Sequence, residues 1–128
     1  MKQLRKLALV VAVILSFMGA MLLIALPAQA QEPSVFGDYN GDGNADILWR
    51  NSSTGQNWLY LMDGATIVSS VNVNTVPGVW EVAGNGDYNG DCNADILWRN
   101  SSTGQNWLYL MDGATIVSSV NFNTVPTF

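Results

Sequence analysis

Histidine is absent from the 128-residue chain, and cysteine occurs once, at Cys92. The missing histidine excludes Ser-His-Asp triads, histidine acid–base chemistry and histidine-ligated zinc. A lone cysteine excludes an intrachain disulfide, and the short length excludes a multi-domain enzyme. No pairing of a nucleophile with a base is visible either. We therefore expect that the chain is not an enzyme.

Basic residues are scarce beyond the N-terminus. Three of the five lie within the first six positions, and the other two are Arg50 and Arg99. All ten acidic residues lie beyond position 30, so residues 31–128 carry a formal net charge of −8. Such a body repels nucleic-acid phosphates and anionic lipid, and it attracts cations. We expect no nucleic-acid partner and no membrane contact beyond the N-terminal segment.

Residues 1–30 have the order of a secretory signal. A basic start with Lys2, Arg5 and Lys6 precedes an apolar run over 7–26 and the small-residue triplet Ala28-Gln29-Ala30. We predict a signal peptide over 1–30, cleaved after Ala30, and a secreted, periplasmic or cell-surface body. An uncleaved anchor is the alternative, because such a run can just cross a hydrocarbon core of ~30 Å.

An internal repeat dominates the remainder. Two 40-residue segments, 38–77 and 87–126, align without gaps at an offset of 49 residues, and 38 of the 40 positions are identical. The two exceptions are Gly43/Cys92 and Val73/Phe122. A period near 50 is typical of propellers, solenoids and arrays. We divide the body into two repeats, at about 35–83 and 84–128.

Each repeat has the pattern of short strands separated by turns. The strands predicted for the second copy are 80–83, 94–99, 106–111 and 115–122, with a hairpin turn at Asp112-Gly113. β-branched and aromatic residues abound and no stretch keeps a 3.6-residue period, which disfavours helix. Four strands in 49 residues match one propeller blade. The predicted fold is all-β, with two tandem four-stranded propeller-type blades forming a partial propeller.

The strands are apolar on both faces, as in Ile96-Leu97-Trp98, so each sheet needs cover on both sides. We therefore expect the tryptophans to pack between repeats rather than to serve as ligand platforms. They are Trp49, Trp58, Trp80, Trp98 and Trp107. Arg50 and Arg99 are expected to shield a tryptophan or to pair with a nearby aspartate; gripping an acidic sugar is the alternative.

An acidic loop precedes one strand of each copy, with oxygen-bearing side chains at loop positions 1, 3, 5 and 9. In the first copy these are Asp38, Asn40, Asp42 and Asp46, and in the second they are Asp87, Asn89, Asp91 and Asp95. Asn44 and Asn93, at position 7, can add a backbone carbonyl. Ca²⁺ binds several oxygens at ~2.3–2.6 Å, and crowded carboxylates repel one another unless a cation neutralises them. We predict up to two calcium ions; an ion-free turn is the alternative.

The loop differs from an EF-hand, because position 12 is Trp49 or Trp98 instead of a bidentate glutamate. Position 6 is Gly43 in one loop and Cys92 in the other. A sharp turn there usually needs positive φ, which favours glycine. We expect the Cys92 loop to be the more strained of the two.

The loop over 38–46, followed by Ile47-Leu48-Trp49-Arg50-Asn51 and by 58–64, resembles bacterial FG-GAP/VCBS-type repeats. These are similar to the calcium-binding blades of the integrin α-subunit propeller, and the resemblance covers essentially residues 35–126. It implies blades with calcium held between two strands at the rim, in secreted or surface proteins of cell adhesion or carbohydrate binding. The implied ligands are the side chains of Asp38, Asn40, Asp42 and Asp46 with the carbonyl of Asn44, and their equivalents Asp87, Asn89, Asp91, Asp95 and Asn93.

Closed propellers have ~4–8 blades, whereas this chain has two copies at most. The first copy also lacks an opening strand, since residues 31–37 offer only a stub. We expect either a fragment of a longer reading frame or a protomer of a homo-oligomer. The predicted function is a calcium-binding module with a structural or binding role toward an extracellular protein or glycan. The alternative is a lectin-like carbohydrate-binding propeller built by oligomerisation.

Overall fold

Seven β-strands and no helix make up residues 36–126, the part of the chain that the computed structural model describes. The strands are β1 (Ile47–Arg50), β2 (Gln56–Asp63), β3 (Thr66–Thr75), β4 (Trp80–Gly86), β5 (Asp95–Asn100), β6 (Gln105–Asp112) and β7 (Thr115–Thr124). None of these residues therefore forms a helix that could cross a membrane. The signal peptide predicted for 1–30 lies outside the described residues.

The strands form two antiparallel sheets in which neighbours in sequence are neighbours in space. The first sheet has the order β1-β2-β3 and the second the order β4-β5-β6-β7. This confirms the all-β prediction and the four strands expected of the second copy, whereas the first sheet has three strands among residues 36–126 instead of the four predicted for each blade. Because β4 pairs with β5, the chain passes from one sheet to the other over residues 76–79, ahead of the repeat boundary placed at 83.

The two copies share their hairpin geometry. Asp112 pairs with Thr115 across the predicted turn, and Gly113, the first residue between them, has a φ of 57°. A glycine with positive φ at this position is typical of type II′ hairpin turns, whose twist suits the flanking strands. The first copy has the same turn, with Gly64 at a φ of 57°. Near-identity of sequence thus extends to identity of strand pairing.

The buried core joins the two sheets. Leu59 from the first sheet belongs to the same apolar cluster as Ile96, Trp98 and Met111 from the second. Backbone hydrogen bonds connect the sheets as well: the N–H of Ala94 donates to the carbonyl of Asp38 and that of Gly113 to the carbonyl of Tyr39, at 2.5 and 2.7 Å. The first acidic loop is therefore part of the contact between sheets.

Equivalent residues of the two copies differ sharply in burial. Trp98 is 1% exposed, whereas its equivalent Trp49 is 53% exposed and Trp58 is 40% exposed. The expectation that all five tryptophans pack between repeats is wrong for Trp49 and Trp58. Their face of the first sheet is covered by no other strand among residues 36–126, while the first sheet covers the corresponding face of the second.

Arg50 shields Trp98, as expected of a strand-end arginine. Its guanidinium carbon lies 5.0 Å from the centroid of the Trp98 ring. The same guanidinium donates hydrogen bonds to the carbonyls of Val76, Pro77 and Trp80 at 2.9–3.0 Å. Arg50 thus links β1, the connection between the sheets and β4, and its donors are directed at carbonyl groups.

Candidate metal centre

The first acidic loop is wound around the carboxylate of Asp38. Asp38 Oδ1 accepts hydrogen bonds from the backbone N–H of Gly41 and Asp42, at 2.7 and 3.2 Å. Asp38 Oδ2 accepts from the N–H of Gly43 at 2.7 Å. Gly41 and Gly43 have positive φ, which lets the backbone turn its N–H groups toward one carboxylate. Position 1 therefore fixes the curvature of the loop.

A second set of hydrogen bonds connects positions 3, 5 and 7. The side-chain amide of Asn40 donates to Asp42 Oδ2 at 3.0 Å, and the backbone N–H of Asn44 donates to Asp42 Oδ1 at 2.8 Å. These two donors, the Asn44 N–H first, hold the pKa of Asp42 below its usual value. Asp42 is exposed and stays ionised, so it keeps a negative charge at the surface of the loop.

Asp46, at position 9, connects the loop to the neighbouring strands. Its Oδ2 accepts from the N–H of Tyr39 at 2.8 Å, and its Oδ1 accepts from the N–H of Met62 at 2.9 Å. Met62 belongs to β2, whereas Tyr39 lies near the start of the loop. Each carboxylate oxygen of Asp46 accepts one backbone hydrogen bond and has a second lone pair that could bind another group. Asp46 is therefore first of all a backbone anchor.

The second loop repeats this arrangement. Asp87 accepts from the N–H groups of Gly90, Asp91 and Cys92 at 2.6–3.1 Å, and Asp95 accepts from those of Tyr88 and Met111, both at 2.9 Å. The Asn89, Asp91 and Asn93 contacts match those of the first loop. All ten predicted ligand residues thus lie in two loops of the same conformation.

Cys92 is the one non-glycine residue among residues 36–126 with a positive φ, at 73°. Gly43, its equivalent, has a φ of 88°. The expectation that position 6 requires a left-handed backbone is confirmed. A side chain in this conformation costs roughly 1–2 kcal/mol, so the second loop folds at a cost that the first avoids.

Negative charge is crowded in the second loop. Burial raises the pKa of Asp95, hydrogen bonds from Met111 and Tyr88 oppose the rise, and the carboxylates of Asp91 and Asp87 add to it. At Asp87 burial also acts upward, but the N–H groups led by Cys92 and Gly90 outweigh it and lower the pKa. The second loop therefore brings together Asp87, whose ionised form is stabilised, and Asp95, whose ionised form is disfavoured.

The loops offer oxygen donors of the kind that calcium prefers. In residues 36–126, however, no three histidine, cysteine or acidic side chains gather into a group that could hold a metal ion. The aspartates at positions 1 and 9 already accept backbone N–H groups, so a bound ion would use their remaining lone pairs together with positions 3 and 5 and the carbonyl at position 7. The donor types fit calcium.

Tyr39 is a buried residue of the first loop that sequence reasoning did not single out. It is fully buried, whereas its equivalent Tyr88 is 50% exposed. Burial, with the charges of Asp46 and then Asp95 nearby, raises the pKa of the Tyr39 hydroxyl, and the Asn85 amide partly opposes this. Even so, this hydroxyl makes no hydrogen bond of acceptable geometry within the described part of the chain.

The parent protein should lose stability at alkaline pH because of Tyr39, and we expect Tyr39→Phe to remove that loss. The unfolded tyrosine titrates near the ordinary tyrosine pKa of about 10, while burial raises the pKa of the folded one, so that it holds its proton to higher pH. The parent's free energy of unfolding should therefore fall as pH rises above 10, because only the unfolded state gains from ionisation. At neutral pH the variant should be at least as stable, since the lost hydroxyl has no hydrogen-bond partner among residues 36–126.

Urea unfolding at a series of pH values measures this difference. Tyr88→Phe is the matched control, because it changes the same residue type at the exposed equivalent position and leaves Tyr39 in place. It should keep the parent's dependence on pH. Parallel curves for the parent and Tyr39→Phe would contradict the prediction.

Comparisons of the chain with protein-family models, with curated proteins and with solved structures found no match.

Proposed function

We propose that the chain is an exported calcium-binding β-repeat protein, built of propeller-type blades of the FG-GAP/VCBS kind, with a structural or binding role. The observation that carries the proposal is the shared conformation of the two acidic loops, each wound around its first aspartate. The all-β fold, with sheets packed through a common core, supports blade-like repeats.

The charges of the loops support a bound cation. Three carboxylates fall within nine residues of each loop. The two arginines among residues 36–126 lie toward the far ends of β1 and β5. Arg50 donates there to backbone carbonyls, and Arg99 donates to the carbonyls of Gly104 and Val125 and to the amide oxygen of Asn106. A divalent ion would reduce the repulsion that these side chains leave in place.

Calcium would act here as a structural clamp. Asp38, Asn40, Asp42, Asp46 and the Asn44 carbonyl would hold it in the first loop, and Asp38 and Asp46 would also keep their backbone hydrogen bonds. Since Asp38 and Tyr39 accept hydrogen bonds from the second sheet, an ion that stiffens the loop would also stabilise the contact between sheets. In the second loop Asp87, Asn89, Asp91, Asn93 and Asp95 would have the same roles.

The proposed role is not catalytic. Each position-1 and position-9 carboxylate already accepts backbone hydrogen bonds from two or more residues, which suits a fixed acceptor better than a group that exchanges protons during turnover. The adhesion or binding partner would be an extracellular protein or glycan.

We expect calcium to raise the stability of the protein. Extracellular calcium modules have Kd values of ~10⁻⁴–10⁻³ M, so about 10 mM calcium should add ~1–3 kcal/mol per site relative to chelator. Thermal unfolding in calcium and in chelator, together with calorimetric titration, measures the effect. Coincident melts with no heat of binding would refute the proposal.

Isosteric variants separate ligand loss from damage to the fold. Asp42→Asn combined with Asp91→Asn removes one exposed carboxylate from each loop and keeps the backbone anchors, so the response to calcium should disappear. Asp63→Asn combined with Asp112→Asn is the control, since it removes two exposed acids outside the loops and should keep the response. Equal loss in both double variants would indicate nonspecific charge screening.

The single difference between the loops supplies an internal comparison. Cys92 strains the backbone of the second loop, whereas Gly43 leaves the first loop unstrained. We therefore expect two unequal calcium-binding steps, with the affinity of the second loop lower by several-fold to about tenfold. Cys92→Gly should make the two steps equal. Unchanged affinities in this variant would show that the loop absorbs the strain.

Carbohydrate binding is the second candidate function. It is favoured by a cleft of about 560 Å³ on the first sheet, lined by the exposed Trp49 and Trp58 and by polar side chains including Arg50 and Asn51. Aromatic faces beside polar groups suit sugars, which present apolar and hydroxyl surfaces. Glycan-binding screens with and without calcium separate this candidate from a purely structural role.

A further inference from the structure

At the contact between the two sheets, the segment 75–77 lies against a cleft of the second sheet, and we call this segment the strap. On the second sheet, Trp98, Trp107, Tyr109 and Ser119 line a cleft whose opposite wall is the segment 75–77, and about 220 Å³ remains open between them. The strap is fixed by Arg50, which donates to the carbonyls of Val76 and Pro77 and lies over Trp98. Val76 is buried there.

The first sheet presents the same cleft without a strap. Its lining residues Trp49, Trp58, Tyr60 and Ser70 are the repeat equivalents of Trp98, Trp107, Tyr109 and Ser119, and the open space grows to about 560 Å³. This front face, defined by these four residues, exposes two tryptophans in a chain of low charge. Exposed apolar surface of this kind marks an interaction site.

The second sheet carries the matching strap, and among residues 36–126 no element is docked against it. The back face, defined by Tyr88, Arg99 and 124–126, is the repeat equivalent of Tyr39, Arg50 and 75–77. Val76 is 6% exposed and Val125 is 40% exposed. Arg99 donates to the carbonyl of Val125 at 3.0 Å, so the arginine and the strap already have the arrangement that Arg50 and its strap adopt.

We infer that the back face of one chain docks on the front face of a second copy, repeating between chains the contact that the chain makes internally. Arg99 would lie over Trp49 of the second copy as Arg50 lies over Trp98. The strap 124–126 would enter the open cleft, and the carbonyls of Asp87 and Tyr88 would accept from the N–H groups of the second copy's Ala45 and Gly64.

The occupant is identified by sequence identity. The strap, the arginine, the tyrosine and the four lining residues of the cleft all have identical equivalents on the matching open faces. Three other residues of the internal contact do not: Trp80 in the cleft, Asn85 beside Tyr39 and Val73 beside the core have Gln31, Phe36 and Phe122 as their repeat equivalents. No other partner need be invoked to supply the strap, the arginine and the tyrosine together.

The two faces differ, so the association is head-to-tail. A heterologous contact of this kind closes into a ring if its rotation permits and otherwise grows into a fibre. The inference goes beyond the proposed calcium role, because it rests on the tryptophan cleft, the arginine and the strap. Performing its test both in calcium and in chelator keeps the two proposals separable.

The test uses the full chain, purified in the form that an exporting host delivers, in sedimentation velocity over a wide range of concentrations. The parent should form oligomers with rising concentration. Trp49→Ala alters the front face and Tyr88→Ala the back face, both at exposed side chains, and each should weaken self-association by about tenfold or more.

Mixing the two variants gives the decisive measurement. Trp49→Ala keeps an intact back face and Tyr88→Ala an intact front face, so the mixture should form a 1:1 dimer that grows no further. A parent that stays monomeric, variants that associate like the parent, or a mixture that forms no dimer would each overturn the inference. A monomeric parent whose front face binds soluble glycan would assign that face to sugar.

Discussion

Trp98→Ala should lower the free energy of unfolding by about 3–5 kcal/mol, the range for truncating a buried tryptophan. Trp98 is 1% exposed and packs between the sheets beneath Arg50. Small domains have only about 5–15 kcal/mol of stability in total. The variant should therefore unfold at far lower denaturant than the parent, or fail to reach the folded state at all.

Trp49→Ala is the matched control for Trp98→Ala, because the two tryptophans have the same neighbours in sequence. Trp49 is 53% exposed, and its ring centroid lies 6.1 Å from that of Tyr60. At concentrations where the chain is monomeric, this change should cost about 1 kcal/mol or less. Urea unfolding followed by circular dichroism measures both variants. Equal losses of unfolding free energy in the two variants would show that each sheet is stabilised independently. That result would contradict the packing of the first sheet on Trp98.

Asp95→Ala should cost about 2–4 kcal/mol in the absence of metal. Its carboxylate accepts from the N–H groups of Tyr88 and Met111, and Met111 is fully buried. Truncation leaves a buried donor unpaired, which costs ~1–3 kcal/mol on its own, and releases the loop from β6. The same burial that raises the pKa of Asp95 also makes its charge unfavourable in the folded state. Removing that charge offsets part of the loss.

Asp91→Ala is the comparison for Asp95. Asp91 is exposed and its hydrogen bonds stay within the loop, to Asn89 and Asn93. In chelator it should cost about 1 kcal/mol or less, whereas in calcium it should cost more, because a ligand is lost. Unfolding of both variants in chelator and in calcium gives the four values needed. A loss at Asp95 no larger than that at Asp91 in chelator would contradict the anchor role.

Local sequence was sufficient for the strands and the turns. The β-branched run over 115–122 and the Asp112-Gly113 pair predict a hairpin whose strands form as expected, because both signals act through neighbouring residues. The positive φ at Cys92 is likewise a local property of the loop.

Local sequence could not separate residues whose surroundings differ only in tertiary structure. Trp49 and Trp98 have the same neighbours in sequence, and so do Tyr39 and Tyr88, yet one of each pair is buried and the other exposed. The backbone contacts of Asp46 and Asp95 were also invisible, because their partners Met62 and Met111 lie 16 residues away. An aspartate at a ligand position gives no signal that it binds a strand.

The repeated hairpins leave β4 with two equivalent pairing partners while the chain folds. The residues of β5 that pair with β4, Asp95–Asn100, recur as 46–51, so side chains cannot distinguish the correct edge from the wrong one. Connectivity can. Pairing with β5 closes only the eight-residue loop 87–94, whereas pairing with β1 would close the 29-residue stretch 51–79. Closing a longer stretch costs more conformational entropy, so the short connection directs β4 to β5 and thereby separates two otherwise interchangeable halves.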